Sequence, residues 1–344
     1  MIDFRYHLVS IVAVFLALAL GVVFGAVAIK PSALSTLQNG YVHEQHQIDQ
    51  LIASGRISRQ QLAADEAFAL SAAPQLLAHL LDGQRVVIVA APGAPGSVTS
   101  GVTRALTEAG ATVSGQVQLQ AHLLDPAAAT QQALSQLAQR VAPPGMTLTG
   151  GTAMQRAGRV LASAILTGGG PNQPVPGQPD STGRSVLAGL ASAGFVSVSS
   201  GNPAARATLA VVVIPASPPA VSDANPASNY LVTVAQQLGL AGHGTVVAGT
   251  VPGSVTGSAI DVMRANNRRA HLSSVDNADM VSGQITVVQA LYEQLQGVSG
   301  DYGIAGTDGA APTPAPTPSA TGSGAATQTG RARAAATPSA AGRP

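Results

Sequence analysis

The sequence predicts an α/β protein: an N-terminal transmembrane helix and a helical, coiled-coil-like stalk, followed by a mostly parallel, doubly wound sheet domain. Three observations predict it. Residues 8–29 form an uncharged apolar run, apolar residues then recur at three-four spacing as far as Leu80, and from Arg85 to Gly303 β-branched runs alternate with helical segments. The first pattern suits lipid, the second a helix with one apolar stripe, and the third a sheet covered on both faces.

Residues 8–29 read LVSIVAVFLALALGVVFGAVAI, 22 residues with Ser10 as the only hydroxyl. As a helix they span about 33 Å, enough to cross a hydrocarbon core of about 30 Å. Residues 1–30 are therefore assigned to a transmembrane anchor with the lipid bilayer as its partner. A secretory signal peptide is the rival reading, since Arg5 supplies a basic flank and Ala26-Val27-Ala28 resembles a cleavage site. The run is longer than the apolar core usual for such peptides, which favours a retained anchor. Arg5 and Lys30 flank the run on opposite sides, so the positive-inside rule only slightly prefers a cytoplasmic N-terminus and an extracytoplasmic C-terminal domain. Ala13, Ala17, Gly21 and Gly25 recur every four residues, a ladder of small side chains at which a second anchor helix could approach closely.

Residues 31–83 are predicted as the stalk, with Leu34, Leu37, Tyr41, Ile48 and Leu51 on its stripe, an interruption at Gly55, and Leu62, Ala69, Ala73, Leu76 and Leu80 beyond it. The stripe and the ladder together predict a homo-oligomer formed through anchor and stalk.

Residues 84–303 are predicted as an extracytoplasmic α/β domain. Its first unit is a strand at 86–91, a turn at 92–96, a helix at 98–109 and a strand at 112–119. Further strands are predicted at 195–199, 209–214, 245–251 and 270–275, and helices at 127–141, 152–166, 186–193, 227–238 and 283–297. Residues 168–184 form a Gly/Pro-rich surface loop in this reading. Residues 304–344 are rich in Pro, Ala, Thr and Ser and bury too little apolar surface to offset ordering, which predicts a disordered tail.

With 17 Lys+Arg against 16 Asp+Glu and no basic block, the chain lacks the cationic face that nucleic acid requires. The absence of cysteine removes disulfides, thiolate metal sites and thiol nucleophiles. The turn from Ala91 to Gly96 lacks G-x-G-x-x-G spacing, and Pro92 and Pro95 remove two N–H donors a phosphate would use. There is no G-x-S-x-G elbow, and Ser254 and Ser258 have no evident histidine partner. No cofactor and no enzymatic activity are predicted. His43 and His46, three apart on the stalk, are the candidate metal ligands, and two imidazoles are an incomplete site for Cu(II). The five methionines do not cluster in the sequence. Asp276, Asn277 and Asp279 follow a predicted strand on the side where doubly wound folds hold ligands, and are the candidate ligand contacts. Turn and helix-entry roles suit the same residues.

The opening MIDFRYHLVSIVAVFLALALGVVFGA resembles the start of the actinobacterial copper transport family named for mycobacterial MctB. The resemblance continues through VVIVAAPG (residues 86–93), TRALTEAGATVSGQVQL (103–119), SVDN (274–277) and GQITVVQALYEQLQG with Asp301-Tyr302-Gly303, covering residues 1–303. It implies an envelope or outer-membrane protein with copper ions as partner and a role in copper export and homeostasis as a channel component. It supplies no catalytic residues. The alternative is a non-enzymatic extracytoplasmic ligand-binding or scaffold protein. A spanning barrel would need many alternating strands with aromatic girdles, whereas this chain offers one apolar helix and five Phe and five Tyr.

Overall fold

The computed structural model describes residues 4–28, 31–170, 173–215, 226–250, 256–266 and 272–313, with side chains described at 6–25 and from 47 onward within those ranges. Residues 314–344 of the predicted tail lie outside the described residues, as does Ser254. The chain divides into two compact units, Met1–Leu76 and Leu77–Pro344.

The first unit contains helix α1 (Phe4–Ala28) and most of helix α2 (Pro31–Leu77). Within α1, Tyr6–Gly25 has a mean hydropathy of 2.8 and none of it is buried, so it is long and apolar enough to cross a membrane. Helix α2 runs for 47 residues through Gly55, where the sequence predicted an interruption. One helical glycine costs only about 1 kcal/mol relative to alanine, too little to break a hydrogen-bonded ladder that continues on both sides. Pro74 falls in the last turn of the same helix.

The second unit runs β1 (Arg85–Ala90), α3 (Gly96–Glu108), β2 (Thr112–Leu119), α4 (Ala128–Val141), α5 (Ala153–Ile165), α6 (Ser181–Ser192), β3 (Val196–Gly201), β4 (Leu209–Val213), α7 (Pro226–Ala241), β5 (Gly244–Ala248), α8 (Ala259–Ala265), β6 (Leu272–Val275), α9 (Val281–Leu295) and β7 (Asp301–Tyr302). The strands form one sheet of order β3-β2-β1-β4-β5-β6-β7. Every neighbouring pair is parallel except β2 and β3, which are antiparallel.

Side chains alternate across this sheet with a period of two. Val87, Val89, Val117, Ala210, Val212 and Val247 belong to one core that also takes in Leu134 of α4, Val160 and Leu161 of α5, Leu187 of α6, Leu231 and Leu238 of α7 and Ile260 of α8. Val86, Ile88, Val211 and Val246 are equally buried but lie outside that core, on the face packed by α3 and α9. Burial of β1 on both faces explains its unbroken RVVIVA sequence.

The link from β6 through α9 to β7 advances across the sheet in the same direction as the link from β4 through α7 to β5, but over the opposite face. The two crossovers therefore have opposite hands, and one departs from the strong right-handed preference of such links. Two short elements, α8 and β7, were not among the predicted ones. Helix α6 starts at Ser181, five residues before the predicted helix, because Asp180 caps its first turn through the N–H groups of Thr182 (3.1 Å) and Gly183 (2.8 Å). Helix α5 opens on a reciprocal capping box between Thr152 and Gln155.

Candidate functional site

Ligands of doubly wound sheets are held outside the carboxyl ends of the strands, where the strand order reverses. Here that point lies between β1 and β4. The turn after β1 is tied to β4 by the Ala91 N–H, which donates to the Val213 carbonyl at 2.8 Å, and it closes by an Ala94-to-Ala91 bond of 3.0 Å. Gly93 has φ +78°, a left-handed value that a glycine adopts without penalty. The Gln118 amide donates to the Ala91 carbonyl at 2.9 Å, so the turn is a braced strand-to-helix connection.

Immediately after β6, Asp276 is fully buried, and its oxygens are engaged by its own chain. Oδ1 accepts from the Ile304 N–H (2.7 Å), while Oδ2 accepts from the Ala305 N–H (2.9 Å) and from Arg264 Nη1 (3.0 Å). The same guanidinium donates through Nε to Ser274 Oγ (2.9 Å), through Nη1 to the Ala305 carbonyl (2.9 Å) and through Nη2 to the Tyr302 carbonyl (3.0 Å). Ser274 Oγ in turn donates to Asp301 Oδ1 at 2.7 Å. One arginine thus binds the end of β6, the two-residue strand β7 and the loop after it into a single polar knot.

Asn277 is 7% exposed, and its Oδ1 has no hydrogen-bond partner among the described residues. Thr250, just past neighbouring β5, is 6% exposed with its Oγ1 in the same condition. The two positions are adjacent across the sheet, since the Ala278 N–H donates to the Gly249 carbonyl at 2.8 Å. Asp279 is exposed on the turn that enters α9, whose start at Met280 carries no side-chain cap. The sequence therefore brought together three neighbours with three different environments: a knotted carboxylate, a buried amide and a solvated carboxylate.

A second buried ion pair lies elsewhere on the domain. Arg206 donates through Nε (3.0 Å) and Nη2 to Asp180 Oδ2, and its side chain is 9% exposed. Burial raises the pKa of Asp180, but the Arg206 hydrogen bonds, the Gly183 N–H, the Arg206 charge and the Thr182 N–H together outweigh it and hold the carboxyl below its ordinary value. On the surface, the Ala127 N–H, the Thr130 hydroxyl and the charge of His122 hold Asp125 low against a smaller opposing effect of burial.

His43 and His46 lie on α2, at positions whose side chains are outside the described residues. Ala13, Ala17, Gly21 and Gly25 all lie on α1. A Cβ added at Gly21 or Gly25 would meet nothing within 4 Å beyond the adjacent backbone of its own helix. Among the described residues, no group of three or more His, Cys, Asp or Glu is placed to hold a metal ion.

Arg264 and Asp301 escaped the sequence reading. Arg264 is twelve positions from Asp276 and on a seven-residue helix, too short to announce itself by periodicity. The Asp301-Tyr302-Gly303 triplet was visible, but its contact with Ser274 exists only once β7 is laid beside β6.

An apolar N-terminal helix, a long second helix and a folded α/β unit fit the class of membrane-anchored proteins with a globular domain. The sequence model of the family described as "Copper transport outer membrane protein, MctB" matches residues 1–313. A protein called copper transporter MctB from Mycobacterium tuberculosis is 30% identical over 300 residues, covering 86% of this chain and 94% of its own. Its namesake from Mycobacterium leprae is 31% identical over 319 residues, covering 88% and 96%. The chain belongs to the MctB copper transport family.

Proposed function

We propose that this protein is a non-enzymatic component of copper export in the cell envelope, held in the outer membrane by α1 with its α/β domain, about residues 84–303, outside the cytoplasm. Copper ions are its transported substrate in this reading. The observation that carries it is the family match over residues 1–313, which includes anchor, stalk and domain together. One helix cannot enclose an ion path, so conduction would require several copies of α1 to surround it.

Self-association through anchor and stalk supplies those copies. Exposed apolar side chains on α2 support this, among them Leu51 at 71% exposure and Leu62 at 46%. The Ala13, Ala17, Gly21 and Gly25 ladder is the proposed contact within the bilayer, and His43 and His46 are the proposed metal contacts on the stalk. The test is copper content in a strain lacking the gene, against wild type and a strain complemented with H43A/H46A. The deletion should accumulate copper, and the double variant should restore export only in part. Equal copper content in the deletion and wild type would remove the transport role. Ion flux in proteoliposomes, with and without residues 1–30 at matched protein density, tests the channel step separately.

A second reading, a ligand-binding or scaffold protein, is favoured by one observation: Asn277 Oδ1 and Thr250 Oγ1 stand buried without partners at the carboxyl edge. Asn277 and Asp279 are its available contacts, with Asp276 holding the edge in place. A ligand retained by the full chain and lost in N277L, without any copper phenotype, would favour it.

A further inference from the structure

A groove of about 620 Å³ runs between α5, the last turns of α7 and the loop before α5, away from the carboxyl edge of the sheet. Met146, Leu240 and Ala241 give it an apolar wall, and Arg159 and Gln237 supply polar groups. Arg159 is half-buried and has no carboxylate partner among the described residues. Gln237 is only 9% exposed, and its amide makes no hydrogen bond to another described group. The amide is not sealed from solvent: it opens onto the groove that Arg159 also lines, so a guanidinium and an amide, neither engaged by another described side chain, are both left for a ligand to engage.

The groove is also built rather than incidental. A Cβ at Gly158 would lie 3.0 Å from Gln237 Cγ, so this glycine lets α7 settle closely on α5 and clamps the glutamine stem. Arg156 ties the far wall down by donating to the Gly151 carbonyl and to Ser135 Oγ, each at 2.7 Å. A planar cation paired with an amide donor matches a carboxylate, which can accept from both, and the apolar wall matches a hydrocarbon body.

We propose that the α5–α7 groove is a binding site for a carboxylate with an apolar chain, the head held by Arg159 and Gln237 and the chain lying on Met146, Leu240 and Ala241. This site is independent of copper transport and stands or falls apart from it.

The test uses the full chain in phosphatidylcholine nanodiscs, with radiolabelled decanoate measured by equilibrium dialysis against empty discs. Saturable binding above the empty discs is expected. R159Q should weaken it by about tenfold or more, as loss of a charge-assisted contact predicts, and Q237L by several-fold. R140Q, the same charge change at an exposed site on α4, should bind as wild type. Leu240 is 65% exposed, so L240D should fold and still weaken binding if R159Q proves unstable. Uptake no greater than by empty discs, equal competition by 1-decanol, or equal losses in R140Q and R159Q would each overturn the proposal.

Discussion

Arg264 Nη1 donates to Asp276 Oδ2 at 3.0 Å, with the two side chains 12% and 0% exposed. This pair joins a helix the sequence did not announce to a carboxylate that it did. Removing one partner of a buried pair leaves the other charged and uncompensated, which costs more than the pair contributes. R264M should therefore destabilise the domain by about 3–5 kcal/mol and lower its Tm by about 6–20 °C. Limited proteolysis should find residues 301–308 newly cleavable, because Arg264 also holds the Tyr302 and Ala305 carbonyls. Wild-type melting and protection in R264M would show that the knot is dispensable.

The Asp180 carboxyl is held below its ordinary value of 3.8 in the folded protein. A depressed carboxylate contributes stability that is fully present above its unfolded pKa and disappears as pH falls through the lower folded value. D180N keeps a capping residue but loses the charge facing Arg206. It should be less stable than wild type at pH 7, and the gap should close below pH 3.8. Denaturant midpoints of both proteins at pH 7 and at successive pH values below 3.8 check the sign, and a gap that widens with acid would contradict it.

Gly201 ends β3 with φ +67°, and a Cβ there would lie 2.7 Å from the Ser114 carbonyl oxygen. G201A meets a backbone penalty and a collision with main chain that cannot swing aside. A loss of at least about 1–3 kcal/mol is expected, read as a lower Tm. An unchanged Tm would mean that the β2–β3 edge can shift to accept a methyl group.

On α1, a Cβ at Gly21 would meet nothing within 4 Å beyond the helix's own adjacent backbone, so G21V clashes with no other described part of the chain. If the small-residue ladder brings copies together in the bilayer, G21V should reduce energy transfer between labelled copies in vesicles several-fold, while thermal unfolding stays unchanged. Undiminished transfer would move the contact off this face.

Much of the fold was legible because it is written in local terms. The anchor helix follows from length and hydropathy, and β1 from an uninterrupted β-branched run. The two-residue strand β7 and the seven-residue helix α8 carry too few positions of their period to register, and neither has the unbroken β-branched run that revealed β1. The candidate ligand residues were legible only as types: Asp276, Asn277 and Asp279 share one turn, and nothing local separates the knotted from the solvated carboxylate.

By itself the sequence determined that an apolar helix precedes a helical stalk, and that an α/β domain without thiol chemistry follows. Those properties depend on composition and short-range spacing. Only the tertiary structure decided the strand order, the antiparallel β3, the hand of the β6–α9–β7 link, the arginine that engages Asp276 and the empty company of Arg159 and Gln237. These are relations between residues far apart in the chain, set by which faces must be buried together and which polar groups are then left facing one another.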